Sequence, residues 1–143
     1  MDTNRKVLAY ITNGTEPNWE LLVFRQDQDD EQDFRVPGGT IEKDELIIDA
    51  LYRKIEEETG LTRDQLEFLG KVNKTNFFPE DREKVYERNV FHLAYTGEPK
   101  KAWEHKVTGD NTHKNDTFYL RFIPIKKLPD LASNQGQSIP LML

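Results

Sequence analysis

The sequence predicts an α+β fold or an α/β/α sandwich, and three observations support this class. Short β-rich runs recur along the chain, one long segment has the composition and end signals of a helix, and the two kinds of segment are interspersed. The length of 143 residues is that of one ordinary domain. We therefore expect a single domain over residues 1–143.

The first predicted element is a β-hairpin. Residues 7–11 and 19–24 are rich in residues that favour strands. The polar segment 12–18, which contains Gly14 and Pro17, separates the two runs and has the composition of a turn. Together the two runs predict paired antiparallel strands.

A brief third strand is predicted after the hairpin. Residues 26–33 are mostly acidic and polar, which is typical of a solvated loop, and residues 34–36 favour a short strand. Pro37 and the glycine pair that follows it are expected to end this strand. A loop then leads to the next element.

The best-supported element is a helix that ends near Gly60. Asp44 is the predicted N-cap, helix-forming residues follow it without interruption, and Gly60 provides the stop expected at a helix C-terminus. Four aliphatic residues recur at helical spacing and are predicted to face the core: Ile47, Ile48, Leu51 and Ile55.

The second half of the chain predicts further strands. Residues 66–72, 85–95 and 118–125 are strand candidates, and the second shows partial alternation of apolar and polar side chains. Residues 97–116 are predicted to be a polar linker. The chain is expected to end in a short helix and a loose tail.

Composition excludes several classes of function. The 20 basic and 26 acidic residues give a formal charge of -6, which favours neither a long nucleic acid nor an anionic membrane as a partner. No apolar run is long enough to span a membrane, and the N-terminus lacks the pattern of a secretory signal, so we expect a cytoplasmic protein. Without cysteine, a metal ion must be held by oxygen or imidazole ligands.

One motif carries most of the functional information. Six residues in GTIEKDELIIDALYRKIEEETGL have a spacing that would arise by chance on the order of once in ten million positions: Gly39, Glu45, Arg53, Glu57, Glu58 and Gly60. Mg²⁺ is commonly held by one or two carboxylates together with substrate phosphates, and Glu57 and Glu58 can provide such a pair. Helical geometry places them on one broad face with Arg53 and Lys54, and this face would point toward the loop of Gly38 and Gly39.

Each of these residues has an alternative interpretation without catalysis. The acidic run that ends at Glu58 could be a solvated surface patch. Arg53 could form only an (i, i+4) ion pair with Glu57, and Glu45 could only favour the first helical turn. Gly39 could be a plain turn glycine.

The spacing resembles the Nudix box, GX5EX7REUXEEXGU, in which U is a bulky aliphatic residue. The resemblance extends to residues 34–39 before the box and to residues 122–131 near the C-terminus. It implies an α/β/α sandwich with a mixed sheet and Mg²⁺- or Mn²⁺-dependent hydrolysis of a nucleoside diphosphate linked to another moiety. It also implies that Gly39, Glu57 and Glu58 hold metal and that Arg53 orients the carboxylates.

The box departs from the family pattern at Lys54, which replaces the glutamate that follows the arginine. In many Nudix enzymes that glutamate is a general base or an additional metal ligand, and a lysine that is protonated at neutral pH can be neither. Lys54 lies three and four residues before Glu57 and Glu58, so its ammonium is expected to reach both and to weaken one metal site. Glu56 cannot replace the lost carboxylate because it lies roughly 200 degrees around the helix.

A substitute base must therefore come from another segment, and the candidates stay open: Glu80, Glu83, Glu98, Glu104, His105, Asp110, His113 and Asp116. Aromatic residues that could stack on a nucleobase, or could simply be core, are Phe77, Phe78, Tyr86 and Trp103. Arg25 and Arg35 could contact phosphate or could be surface charges.

These features together predict a metal-dependent pyrophosphohydrolase that acts on a small nucleotide, is a monomer or homodimer, and has an atypical or weakened base. The alternative is a Nudix-fold module that binds nucleotides but has lost turnover through Lys54.

Overall fold

A computed structural model describes residues 2–26, 33–80 and 83–143. These residues form one seven-stranded sheet, the helix α1 (Ile47–Thr59) and short 3-10 helices. The strands are β1 (Asp2–Asn13), β2 (Glu20–Arg25), β3 (Gly38–Thr40), β4 (Leu66–Phe77), β5 (Lys84–Tyr95), β6 (Ala102–Lys106) and β7 (Thr117–Pro124). The 3-10 helices are Arg63–Gln65, Ile125–Lys127, Ala132–Asn134 and Ile139–Leu141.

The strand order of the sheet is β4-β5-β1-β2-β7-β6, and β3 pairs with β1 beside this path. β1 and β5 are parallel from Asp2 and Lys84 to Thr12 and Ala94, whereas the other named strand pairs are antiparallel. The sheet is therefore mixed, and the predicted α+β class is confirmed.

The predicted hairpin forms, but its strands separate after two pairs of residues, Thr12 with Leu21 and Asn13 with Glu20. From there β2 pairs with β7, and β3 pairs with residues 6–8 of β1. This separation places the glycine-rich strand β3 beside β1, where it also contacts α1.

Both faces of the sheet are covered, which explains why the run from Val7 to Ile11 is apolar without alternation. One buried cluster joins β1 to α1 and includes Val7, Ala9, Ile11, Leu51 and Ile55. The other joins β1 to the C-terminal segment and includes Leu8, Tyr10, Leu131 and Ile139.

The third predicted strand is wrong in position. Within residues 34–36 only an isolated bridge between Arg35 and Phe24 is present, and β3 begins at Gly38, where we expected the strand to end. A Cβ at position 38 would collide with the Val7 carbonyl and the Leu8 side chain, so glycine allows the close pairing with β1. Residues 27–32 of the predicted acidic loop lie outside the described residues.

The start of the predicted helix is also wrong, whereas its end is confirmed. Leu46 is the N-cap, and Asp44 adopts a left-handed conformation with φ 64° in the loop before it. Gly60 ends α1 with φ 79° and donates its N–H to the Glu56 carbonyl at 3.0 Å. Ile48 is 38% exposed, so its predicted core position is wrong, because it lies beside the buried stripe that contains Leu51.

Two predictions for the C-terminal half need correction. The predicted linker contains the edge strand β6, which pairs with β7 and alternates only between exposed and half-buried side chains. The predicted loose tail is packed, because the Gln135 side chain accepts the Val36 N–H at 2.8 Å and Tyr10 donates to the Gln135 carbonyl at 2.6 Å.

In the parts of the chain that the structure describes, none of the helices combines the length and apolar character needed to cross a membrane.

Candidate active site

A cavity of about 940 Å³ lies where the glycine strand β3 meets α1. Its lining includes Gly38, Gly39, Arg53, Lys54 and Glu58, so most of the predicted site converges there. Glu57 instead lines a smaller cavity of about 310 Å³, and Arg53 lines both cavities. We call Arg53, Lys54 and Glu58, together with Glu57 of the adjoining smaller cavity, the helix wall.

Glu58 is buried against the glycine strand. Its side chain is almost fully enclosed at 6% exposure, and its Oε1 accepts the Gly38 N–H at 2.8 Å. Burial raises the pKa of Glu58 to about 7, although the Gly38 amide and the Lys54 charge act in the opposite direction. The carboxyl group therefore exchanges its proton near neutral pH and lies on the large cavity.

Glu57 is enclosed by hydrogen-bond donors. Its Oε2 accepts from Arg53 Nη1 at 3.2 Å, and its Oε1 accepts from Lys54 Nζ and from Asn111 Nδ2, each at 3.1 Å. A Cβ at Gly109 would collide with the same carboxylate. Glu57 and Glu58 are thus buried and do not form a solvated patch, whereas Glu56 is exposed.

Arg53 connects the loop after β3 to both ends of α1. Its guanidinium binds Glu45 in a bidentate manner, with Nε to Oε2 at 2.8 Å and Nη2 to Oε1 at 3.0 Å, and it also donates to the Thr40 carbonyl at 2.9 Å. The hydrogen bond from Arg53 lowers the pKa of Glu45, and the same bond raises the pKa of Arg53. Arg53 therefore makes the (i, i+4) contact with Glu57 and several others besides.

Lys54 has a buried side chain whose ammonium reaches one of the two expected carboxylates. Its Nζ lies 3.1 Å from Glu57 Oε1, and its charge acts on Glu58 by lowering the pKa of that group. The stem packs over Gly39, where a Cβ would collide with Lys54 Cε. Glycine at position 39 thus makes room for a side chain that the usual family box does not contain.

Basic residues outside α1 also line the large cavity. Lys6, Arg35 and Arg88 line it, and we call these residues the strand wall. Lys6 Nζ donates to Thr40 Oγ1 at 2.7 Å, and Arg88 Nη1 donates to the Ser133 carbonyl at 2.7 Å. Burial is the main cause that lowers the pKa of both Lys6 and Arg88, and for Lys6 the nearby charge of Lys54 adds to it.

The sequence did not identify Lys6 and Arg88 as site residues. The available signal was weak, since each is a single basic residue within a strand. Among the aromatic candidates, Tyr86 lines the cavity, Phe77 lies under the Arg88 guanidinium at 4.1 Å, and Phe78 is exposed. Trp103 lies elsewhere and donates to the Thr59 carbonyl. Arg25 and Arg35 both line the cavity.

The sequence matches the family model described as the NUDIX domain over residues 2–142. The chain belongs to the Nudix family. It is 39% identical over 55 residues to the RNA pyrophosphohydrolase of Thioalkalivibrio sulfidiphilus, and this match covers 38% of the chain and 32% of that protein. The matched part is thus about a third of the length of this curated relative.

Solved Nudix structures share the fold. The MutT NUDIX hydrolase from Burkholderia pseudomallei has a TM-score of 0.70 and 16% identity, with 100% of both chains covered. A UDP-X diphosphatase has a TM-score of 0.65 and 22% identity, with 99% of this chain and 62% of that chain covered. The recognition of the family from its box is therefore confirmed.

Nudix hydrolases generally require divalent metal ions. Among the described residues, no group of three or more His, Asp and Glu side chains is arranged to hold a metal ion. Glu58 and Gly39, which line the large cavity, carry a carboxyl group and a backbone carbonyl, and Glu57 is paired with two cations. Because Mg²⁺ accepts one or two carboxylates together with substrate phosphates, these donors fit one ion of that kind.

The candidate bases differ in whether they line the large cavity. Of the candidates in the described residues, only Asp110 and His113 line the large cavity. Asp110 precedes Asn111, which binds Glu57, and Thr108 in the same loop donates its N–H to the Glu57 carbonyl at 3.1 Å. His113 Nδ1 lies 3.2 Å from Asp116. His105 Nε2 lies 3.1 Å from the Glu57 carbonyl, outside the cavity lining.

Proposed function

We propose that this protein is a divalent-metal-dependent pyrophosphohydrolase that cleaves a nucleoside diphosphate linked to another moiety. The observation that carries the proposal is the convergence of Gly39, Arg53, Lys54 and Glu58 on the same cavity as the strand wall. Phosphate groups need both hydrogen-bond donors and positive charge, and this cavity offers both. The relatives named as an RNA pyrophosphohydrolase and a UDP-X diphosphatase support cleavage of a diphosphate linkage.

In the proposed reaction, the oxygen of a water molecule bonds to one phosphorus of the diphosphate. The bond from that phosphorus to the bridging oxygen breaks, and the bridging oxygen leaves with the other phosphate. The water proton passes to a base on the protein. A bound Mg²⁺ or Mn²⁺ would offset the phosphate charge and lower the pKa of the water.

Glu58, Gly39 and Glu57 are the proposed metal ligands, and Arg53 is the proposed positioning residue. Arg53 fixes the Glu57 side chain through Nη1 and ties it to Glu45 and the Thr40 carbonyl. Rigid placement of this kind keeps the carboxylate from turning away when a cation is bound.

Asp110 is the proposed base. Its loop is held against α1 by the Asn111 and Thr108 contacts with Glu57, and Asp110 lines the same cavity as Glu58. A positioned carboxylate of this kind can take the place of the glutamate that Lys54 replaces.

A turnover panel tests the proposal directly. The purified protein is incubated with nucleoside triphosphates, nucleotide sugars, dinucleoside polyphosphates and ADP-ribose, with Mg²⁺, with Mn²⁺ and with EDTA. We expect metal-dependent release of a nucleoside monophosphate from at least one substrate. The matched variants are Glu58→Gln, which should lose the activity, and Glu56→Gln, which should keep it because Glu56 is exposed on the same helix.

The alternative function is a nucleotide-binding module, and the ion pair between Lys54 and Glu57 favours it. This pair places an ammonium where the family carries a carboxylate. A nucleotide that raises the melting temperature but is not cleaved with either metal would support the module and contradict the enzyme. The proposed cytoplasmic location applies to both functions.

A further inference from the structure

We propose that the strand wall and Lys54 bind the phosphate groups of the nucleotide directly, so that ligand binding does not require a divalent metal ion. The inference rests on the proposed function because it places the same class of ligand in the same cavity. It goes further in assigning diphosphate binding to Lys6, Arg35, Arg88 and Lys54.

The first argument is the imbalance of charge in the cavity. Basic side chains outnumber acidic ones in its lining, although the whole chain has a formal charge of -6. Lys6, Lys54 and Arg88 come from three elements, β1, α1 and β5, and lie around the same space. A local excess of positive charge in a cleft of an acidic protein favours an anionic ligand.

The second argument is the absence of carboxylate partners on the strand wall. In the chain segments that the structure describes, Lys6, Arg35 and Arg88 form no ion pair within 4.0 Å. Arg88 is only 5% exposed, and its guanidinium is bound to one backbone carbonyl and stacked on Phe77. A guanidinium has five N–H donors, so several of them stay available for phosphate oxygens.

The third argument is the position of Lys54. Its ammonium lies 3.1 Å from Glu57 and offsets part of that charge, and Lys54 lines the same cavity as the strand wall. In a site with two free carboxylates, a phosphate would be repelled until metal ions were bound. Lys54 reduces this repulsion with a cation that is part of the chain.

Calorimetric titration of inorganic pyrophosphate and of ADP, in EDTA and then in Mg²⁺, tests the inference. We expect wild type to bind both ligands in EDTA. Lys6→Gln and Arg35→Gln should each weaken this binding about tenfold, as expected for the loss of one charge-assisted contact. Lys126→Gln is the matched control, because Lys126 is exposed and does not line the cavity.

The variant Lys54→Glu is expected to bind pyrophosphate differently without and with Mg²⁺. This variant should lose binding of pyrophosphate in EDTA and regain it in Mg²⁺, because a carboxylate repels phosphate without metal and supports metal binding with it. Arg88 is buried, so the folding of Arg88→Gln is checked by circular dichroism. Lys6 and Arg35 are more accessible, and their variants keep the test valid if Arg88→Gln does not fold.

The outcomes separate this inference from the proposed function. If the protein hydrolyses a substrate with metal but does not bind pyrophosphate or ADP in EDTA, the inference is overturned and the proposed hydrolase function still holds. Binding in EDTA that depends on Lys6 and Arg35, without turnover on any substrate, supports the inference and overturns the enzyme. Binding in EDTA that is unchanged in all strand-wall variants overturns the assignment of these residues.

Discussion

The two walls of the cavity hold their charges in opposite ways. On the helix wall, Arg53 and Lys54 lie 2.8 Å and 3.1 Å from carboxylate oxygens, and the hydrogen bond with Glu45 raises the pKa of Arg53. On the strand wall, Lys6 and Arg88 bind a hydroxyl and a carbonyl, and burial lowers the pKa of each. The cations of the helix wall are therefore balanced by nearby carboxylates, whereas Lys6 and Arg88 have no carboxylate partner within 4.0 Å among the described residues.

The largest expected effect comes from removing both carboxylates of the helix wall. In the variant Glu57→Gln with Glu58→Gln, we expect Mn²⁺ binding to disappear and hydrolysis to fall at least a thousandfold, since a metal supplies several kcal/mol of charge stabilisation. Calorimetry with Mn²⁺ and turnover on the identified substrate measure these effects. Unchanged Mn²⁺ binding in this double variant, with Glu56→Gln as control, would show that the metal assignment is wrong.

The next effect tests the loop of Asp110 and His113, which lines the same cavity. Asp110→Asn should lower kcat about a hundredfold, the lower part of the range for a positioned base, with a smaller change in KM. His113→Gln is the matched comparison, because His113 lines the same cavity from the same loop. A larger loss of kcat in His113→Gln than in Asp110→Asn would move the role of base to His113.

The next prediction concerns the positive charge that Lys54 contributes to the helix wall. Lys54→Glu should tighten Mn²⁺ binding about tenfold and raise turnover, because it removes a cation and restores a carboxylate beside Glu57. Lys54→Ala should also tighten metal binding but raise turnover less, because it provides no carboxylate. If wild type turns over rapidly and Lys54→Glu leaves turnover unchanged or lowers it, then Lys54 does not impair the enzyme.

The difference between the walls also explains how much of the site could be predicted from the sequence. The helix wall is encoded within a short segment, so helical spacing and the box were enough to bring Arg53, Lys54, Glu57 and Glu58 together. Lys6 and Arg88 are 82 positions apart in sequence and meet only because β1 and β5 pair in parallel, in a register that spacing cannot predict.

Local errors in the predicted fold have similar tertiary causes. The glycines at positions 38 and 39 are typical of a turn, yet contacts with β1 and with the Lys54 stem select an extended strand there. Likewise, Asp44 is a good N-cap by residue type, but the helix begins later, and Glu45 accepts the Glu42 N–H at 2.9 Å and binds Arg53. Packing against β1 and the Lys54 side chain accounts for the first case, and the contacts of Glu45 accompany the second.

The smallest expected effects are on stability. They compare the contact between Glu45 and Arg53 of the helix wall with the charge of Lys6 in the strand wall. At pH 7, Glu45→Gln should lower the free energy of unfolding by about 1 kcal/mol, because it breaks the bidentate contact with Arg53. Lys6→Met should have the opposite sign, because it removes a cation whose charge burial disfavours. Urea unfolding of both variants and wild type measures these differences.

The sign of the pH dependence follows from the lowered pKa of Glu45. A lowered pKa means that the folded state binds the proton of Glu45 less readily than the unfolded state, so the stabilisation is complete above the ordinary pKa of glutamate, about 4.3. It is lost as the pH falls through the lower pKa of the folded state. The difference between wild type and Glu45→Gln should therefore be constant near neutral pH and shrink below about pH 4.3. A difference that stays constant down to pH 3 would show that the Glu45 carboxylate is not what holds Arg53 in place.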